Sequence, residues 1–285
     1  MGYFCDSECG QLRRVALAAP VWYRQTDPIN RRQEREALGP PVDRGRLVDE
    51  HEGLRRALVG AGVEVVDVEP HPDLPYLLNL RDTAVVLGDD LVACQMGEVL
   101  RGPEPEWVIT NLGGPAIPSP ARGIAPLTLE GGDVFQIGGS LLVGVSQRTS
   151  REGAVAHLGH LGREIHLVEL EPGVLHLDTV FNVVGGLALI ADQGVKDVQG
   201  LARLLATLGV PEAISVSAED VDDFATNFLC VSDRQVLIGD TCAPMQATLD
   251  ARGIGSTVVA MSEHHRIGGS VRCATLVLER ELLGT

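Results

Sequence analysis

Short runs of apolar residues alternate with longer amphipathic stretches along most of this chain. Residues 63–68 read VEVVDV, and this alternation of apolar and polar side chains is typical of a strand. Residues 43–60 instead place Leu47, Leu54 and Leu58 on one face of a helix, with glycines at its end as stop signals. Because strand-like and helix-like segments alternate, the sequence predicts an α/β protein.

One order of elements recurs: two short strands joined by a tight turn, then a helix, then a further strand. It occurs about five times, at a spacing of roughly 50 to 60 residues. The predicted hairpins cover residues 83–95, 133–145, 179–191 and 227–238, with helices over 151–161, 195–208 and 243–252 and strands over 164–170, 213–216 and 257–260. Residues 12–18 and 270–280 are predicted as the first and last strands, and regions 20–42 and 101–128 as loops.

Two architectures satisfy this repeat. A ring of five units, closed by pairing the last strand with the N-terminal unit, would be propeller-like and would have a central channel. An open α/β sheet would also accommodate alternating strands and helices. The pattern alone favours neither.

Composition and charge narrow the class of protein. The 285 residues are 45% apolar and 22% charged, which is ordinary for a soluble globular protein and excludes a largely disordered one. The formal net charge is −16 and no Lys/Arg-rich run occurs, so we do not expect nucleic-acid binding. We find neither a membrane-spanning apolar run nor a secretory signal, and the six cysteines are scattered, so we predict a cytoplasmic protein with reduced thiols.

Ionisable residues cluster at four places where a predicted strand begins. These are Asn79-Leu80-Arg81-Asp82, Glu130-Gly131-Gly132-Asp133, His176-Leu177-Asp178 and the segment from Gly268 to Cys273. Each alone is explained by a turn, a solvated strand face or a buried thiol. In a ring they would meet at one channel mouth, where a thiol nucleophile, a histidine and carboxylates suit attack on a cationic carbon.

These motifs, in this order, resemble those of the guanidino-group-modifying enzymes. That superfamily contains arginine deiminases, dimethylarginine hydrolases, arginine dihydrolases and amidinotransferases, and the resemblance covers about residues 10 to 282. It implies a single catalytic domain over residues 1–285, folded as a five-bladed α/β propeller (pentein) of ββαβ repeats with pseudo-fivefold symmetry.

The resemblance also implies roles for individual residues. Cys273 would be the nucleophile that forms a covalent amidino-thioether, and His176 the general acid and then the general base. Asp82, Glu130 and Asp178 would hold the guanidinium. The remaining substrate contacts implied are Arg148 and Arg101 with the substrate carboxylate and Asn79 with the amino-acid end.

Within the superfamily, the motifs and length favour a compact arginine hydrolase of the deiminase or dihydrolase type. Arg81 and Asp178 differ from the residues common in dimethylarginine hydrolases, and classical deiminases and creatine-pathway amidinotransferases are longer. A dimethylarginine hydrolase and an amidinotransferase stay open as alternatives, as does a non-enzymatic binding protein, because a ribosome-associated factor shares the propeller. The resemblance implies no metal or organic cofactor and an arginine-like small-molecule partner. A homodimer is the assembly that we consider.

Overall fold

The computed structural model describes residues 2–118 and 127–282, which form five three-stranded sheets. In each sheet the central strand pairs antiparallel with one neighbour and parallel with the other. The strands are β1 Leu12–Leu17, β2 Glu64–Asp67, β3 Ala84–Leu87, β4 Asp90–Ala93, β5 Ala116–Ile117, β6 Val134–Ile137, β7 Ser140–Val145, β8 Ile165–Glu169, β9 Phe181–Val184, β10 Leu187–Ala191, β11 Glu212–Val216, β12 Leu229–Ser232, β13 Gln235–Gly239, β14 Gly255–Val259 and β15 Leu276–Arg280.

Each central strand is connected to its parallel partner through a helix, as parallel pairing requires. The helices are α1 Arg31–Glu36, α2 Arg44–Gly60, α3 Glu104–Leu112, α4 Arg151–Leu158, α5 Val198–Thr207, α6 Ala218–Asp222, α7 Ala243–Asp250, α8 Ser262–Ile267 and α9 Val271–Ala274. The crossovers are α2, α3, α4, α5 and α7. Among the described residues, none of the helices combines the length and hydrophobicity needed to cross a bilayer.

Local chemistry fixes the hairpins and helix starts. At the turn between β9 and β10, Gly185 and Gly186 have φ of +52° and +83°, a left-handed conformation that glycine adopts without steric cost. Asp197 begins α5, since its carboxylate accepts a hydrogen bond from the backbone N–H of Gly200 at 2.8 Å. The predicted hairpins and crossover helices are therefore confirmed to within a few residues.

Three predictions about elements were wrong. The region 101–128 contains α3 and β5, although residues 119–126 lie outside the described part of the chain. The region 20–42 contains α1, and the predicted last strand 270–280 begins with α9 before it becomes β15. In α3 the prolines Pro103 and Pro105 lie at the N-terminal end, where a missing N–H breaks no helical hydrogen bond. In α9 all four residues are buried, so apolar content does not distinguish helix from strand.

The chain's two ends share one sheet. The central strand β1 pairs antiparallel with β15 and parallel with β2. The pairing of the last strand with the N-terminal unit is thus as expected. The fold is an α/β arrangement of five small mixed sheets.

Candidate active site

Four of the sequence motifs lie at short turns or a short helix that lead directly into a strand. They are the motifs of Asp82, Glu130, His176 and Cys273. The turns Leu80–Asp82, Gly131–Asp133 and Leu177–Thr179 lead into β3, β6 and β9, and α9 leads into β15. Residues that are far apart in sequence therefore occupy equivalent places in successive units.

Direct contacts join these turns to one another. A Cβ atom on Gly131 would lie 2.0 Å from the Arg81 carbonyl oxygen, so only glycine allows this approach. The backbone N–H of Leu177 donates to Asp133 Oδ1 at 2.7 Å. The backbone N–H of Cys273 donates to Asn227 Oδ1 at 3.2 Å. These contacts bring the motifs together.

His176 is the centre of the charged cluster. Its Nε2 lies 2.7 Å from Glu130 Oε2, and its Nδ1 lies 3.7 Å from Asp82 Oδ1. Burial alone would lower the pKa of His176, but Asp82 and Glu130 raise it to about 10. Burial likewise opposes ionisation of Glu130, but the hydrogen bond and charge of His176 lower its pKa to about 2. The pair is therefore an imidazolium and a carboxylate at neutral pH.

The Cys273 thiol is buried and protonated in this structure. Its Sγ lies 4.0 Å from Asp178 Oδ2. Burial, followed by the negative charges of Asp178 and Asp82, raises the pKa of the thiol well above its usual range. Burial also raises the pKa of Asp178 to about 6, despite the nearby Arg272 guanidinium. A cation entering between these groups would reverse both effects.

The cavity beside these groups presents hydrogen-bond acceptors that lack donors. It measures about 20 Å³, and its lining includes Asp82, His176, Cys273 and Asn79. Among the described residues, Asp82 Oδ1, Asp178 Oδ1 and Asn79 Oδ1 are buried without a hydrogen-bond partner. Buried acceptors of this kind require donors. A planar cation with several N–H groups supplies them.

The two candidate carboxylate-binding arginines differ in how they are engaged. Arg101 is buried and holds Asp82 Oδ2 at 2.6 Å, Glu104 Oε2 at 2.8 Å and the Asn79 carbonyl oxygen at 2.9 Å. Arg148 approaches Glu130 Oε1 at 3.5 Å, and its Nη1 has no hydrogen-bond partner among the described residues. Arg148 therefore has a donor free for a ligand, whereas Arg101 supports Asp82.

Two functional positions were missed in the sequence. Glu104 is fully buried against Arg101, within a region predicted to be a loop. Asn227 Oδ1 accepts the backbone N–H of Cys273, and its Nδ2 donates to the Asp178 carbonyl oxygen at 3.3 Å. Asn227 precedes β12 as Asp82 precedes β3. Aligning the repeats on their hairpins would have found it.

Three side chains of the cluster also offer a geometry that could hold a metal ion. Ligand atoms from Asp82, Glu130 and His176 all lie within 4.8 Å of one another. A metal bound there would have to displace the proton that the two carboxylates favour on His176.

Known proteins with similar sequences or folds share one superfamily. A family model described as "Arginine deiminase" matches residues 67–222. The protein YkgA of Bacillus subtilis is 30% identical over 97% of this chain and 95% of its own. An N(G),N(G)-dimethylarginine dimethylaminohydrolase of Mycobacterium tuberculosis is 27% identical over 93% of this chain and 85% of its own.

A solved structure resembles the fold over nearly the whole length. The N-terminal domain of ArgZ, an arginine dihydrolase of cyanobacteria, superposes with a TM-score of 0.82 at 21% identity, covering 95% of this chain and 98% of that one. Fold and relatives together define a protein of the guanidino-group-modifying superfamily. Within it, this chain belongs to the arginine deiminase family.

Proposed function

We propose that this protein is a cysteine-dependent hydrolase of the guanidinium C–N bond in arginine or an arginine derivative. One observation carries the proposal: the buried Cys273 thiol, the protonated His176 and an Asp82 carboxylate oxygen that has no hydrogen-bond partner among the described residues meet at one cavity. The matched family and the dimethylarginine hydrolase relatives support it. A purely binding protein of this fold would not need the thiol and the histidine together.

We further propose that the five sheets are the blades of a closed propeller. Supporting this, contacts link the turns of successive units, and β15 pairs with β1, so that strands from both ends of the chain complete one sheet. The cavity would then lie at one mouth of the central channel. A channel of five turns explains why five separate segments contribute to one site.

Binding of the substrate prepares the nucleophile. The guanidinium donates hydrogen bonds to Asp82, Glu130 and Asp178, and its positive charge lowers the pKa of the Cys273 thiol. The thiol releases its proton to water, and the thiolate attacks the central carbon of the guanidinium. Because Asp178 lies 4.0 Å from Sγ, it holds the carbon close to the sulfur.

The first half-reaction breaks a C–N bond. His176, as imidazolium, donates a proton to the departing nitrogen, which leaves as ammonia for arginine or as an amine for a methylated arginine. The carbon keeps its bond to sulfur as an amidino-thioether. The electron pair of the broken C–N bond leaves with the nitrogen.

The second half-reaction releases the enzyme. His176, now neutral, removes a proton from water, which attacks the amidino carbon. The C–S bond breaks, the thiolate takes its electrons, and a urea group replaces the guanidinium. A dihydrolase would hydrolyse this ureido product once more, to ornithine, carbon dioxide and ammonia. Asn79, with its unpaired Oδ1 in the same cavity, is placed to contact the substrate in either case.

The test is incubation with arginine, asymmetrically dimethylated arginine and agmatine, with products identified by mass. Citrulline plus ammonia indicates a deiminase, ornithine plus ammonia a dihydrolase, and citrulline plus dimethylamine a dimethylarginine hydrolase. Addition of an amine acceptor tests for amidino transfer, the remaining alternative. Cys273→Ser should abolish turnover, whereas Cys242→Ser, which alters a thiol that contacts the Asp223 carbonyl oxygen, should not. Turnover that survives Cys273→Ser would overturn the proposal.

A further inference from the structure

A second buried cavity is lined in part by the turn Leu80–Asp82 and carries positive charge. Arg81, Arg280, Gln136 and Glu8 are among its lining residues, and it shares none of them with the substrate cavity. Arg81 is adjacent in sequence to Asp82, so one turn supplies an anion to the substrate cavity and a cation to this one.

The two guanidinium groups in this cavity have unused donors. Within residues 2–118 and 127–282, Arg81 Nε and Nη2 and Arg280 Nη2 are buried without a hydrogen-bond partner. The exposed fractions of Arg81 and Arg280 are 6% and 2%. Burying a charged group without partners is strongly destabilising, because its hydration is lost and nothing replaces it. A compensating acceptor is therefore required.

The neighbouring carboxylate does not supply that acceptor. Glu8 Oε2 is bound to Arg272 Nη1 at 2.7 Å, and Glu8 Oε1 accepts the backbone N–H of Gln136 at 3.1 Å. Neither Arg81 nor Arg280 forms an ion pair with a carboxylate among the described residues. Consistent with excess positive charge, burial and then the charge of Arg272 lower the pKa of Arg81 to about 10.

The size of the cavity limits what could enter it. It measures about 10 Å³, so it holds one small particle. The guanidinium groups of Arg81, Arg272 and Arg280 outnumber the carboxylates of Glu8 and Asp178 that act on them, so an anion balances the charge here and a water molecule does not. We propose that the cavity binds one monatomic anion, a chloride in the cell, between the guanidinium groups of Arg81 and Arg280.

The direct test uses bromide as the probe on the full-length wild-type protein. Crystals grown in sodium bromide should show an anomalous peak at hydrogen-bonding distance from both guanidinium groups. A water molecule at that place, an empty cavity, or bromide peaks on the surface only would each overturn the proposal. Because this measurement needs no turnover, it is independent of whether the hydrolase proposal holds.

A solution measurement adds a matched comparison. At constant ionic strength, the Tm of the wild type should rise when chloride or bromide replaces gluconate, because an anion bound only by the folded state stabilises it. Arg81→Met should abolish this rise, and Arg81→Lys is the substitute if Arg81→Met does not fold. Arg151→Met, at an exposed arginine paired with Glu169, should keep it. An equal halide response in all three proteins would show nonspecific salt stabilisation and contradict the site.

Discussion

At the scale of single residues, the site is a set of charges whose balance depends on the ligand. The apo cavity holds an imidazolium beside Glu130 and Asp82, with acceptor oxygens left over on Asp82 and Asp178. This arrangement keeps Cys273 protonated until a cation arrives. A thiol that stays protonated until a cation binds is also protected from oxidation, since the thiolate is the reactive form.

The His176 charge should appear in the pH dependence of stability. Its pKa is about 10 when folded and 6.5 when unfolded, so the folded state binds one more proton between these values. The free energy of unfolding should therefore fall as pH rises, by about 1.4 kcal/mol per pH unit for one proton. Urea unfolding between about pH 7 and 7.5 keeps roughly nine-tenths or more of each cysteine protonated in the unfolded chain. In His176→Gln the slope should largely disappear, and an unchanged slope would contradict the imidazolium assignment.

Substrate choice should depend on Arg148. In the proposed mode of binding, Arg148 pairs with the α-carboxylate of arginine through Nη1, which has no hydrogen-bond partner among the described residues. Losing a charged partner in a desolvated site costs about 2–5 kcal/mol, roughly 30-fold to several thousand-fold in affinity. Arg148→Ala should therefore weaken arginine much more than agmatine, which lacks a carboxylate, as measured by kcat/KM. Arg151→Ala, at an exposed ion pair, is the control.

Equal losses for both substrates would point to a different role for Arg148. It would then act through Glu130, which it approaches at 3.5 Å. If adding Arg101→Ala to Arg148→Ala lowers kcat/KM equally for arginine and agmatine, Arg101 holds Asp82 and not the substrate carboxylate; if it adds nothing, Arg101 takes no part. These outcomes distinguish an arginine that binds the substrate carboxylate from one that holds Asp82 or Glu130.

At the scale of elements, the turns before the hairpins do the positioning. Asp133 is the clearest case, because its Oδ1 accepts from the Leu177 N–H at 2.7 Å and its Oδ2 accepts from Ser146 Oγ at 2.6 Å. It thereby ties the turn that carries His176 to the preceding unit. Burial raises the pKa of Asp133 to about 7, so its role rests on hydrogen bonding more than on charge.

Truncating Asp133 should therefore harm both stability and turnover. Asp133→Ala leaves the buried Leu177 N–H without an acceptor, which costs about 1–3 kcal/mol. It should also lower kcat, since the His176 turn loses its anchor. Asp133→Asn keeps an acceptor and should retain most of both. Urea denaturation and steady-state kinetics provide the two readouts, and equal effects of Ala and Asn would show that the charge matters instead.

The sequence predicted some of these elements and missed others, for physical reasons. Hairpins such as β9–β10 were predictable because paired glycines between two short apolar runs are a local signal. The helix α9 was not, because its burial comes from the surrounding turns and not from its own pattern. Cys273, His176 and Glu130 carried recognisable motifs, whereas Asn227 acts through partners that are distant in the sequence. Glu104 was missed although Arg101 is only three residues away, because it lies in a segment whose prolines and glycines predicted a loop.

At the scale of the whole molecule, a buried ion pair links the segment before β1 to the helix α9. Glu8 Oε2 and Arg272 Nη1 are 2.7 Å apart, and their side chains are only 7% and 2% exposed. Arg272 Nε in turn lies 3.5 Å from Asp178 Oδ2. Glu8, in the segment before β1, therefore helps to hold Arg272 beside Asp178, and it does so from outside the cavity that Asp82, His176 and Cys273 line.

Breaking this pair should be costly. Glu8→Ala leaves a buried guanidinium uncompensated, for which about 3–5 kcal/mol is expected. The matched control is Glu281→Ala, which removes an exposed pair with Arg13 that also joins the two ends of the chain; about 0–1 kcal/mol is expected there. Denaturant unfolding of both variants measures the difference. Comparable losses would mean that burial of the Glu8–Arg272 pair adds nothing.

The pairing of β1 with β15 has a consequence for biosynthesis. On the ribosome, β1 emerges first but can gain its antiparallel neighbour only after residues 276–280 have left the exit tunnel. Asp82, Glu130 and His176 are all translated before Cys273, which lies just ahead of that final strand. A nascent chain can thus assemble the acceptor groups early, yet it gains the proposed nucleophile only when synthesis has nearly reached β15. A truncated translation product that stops before residue 273 lacks that thiol.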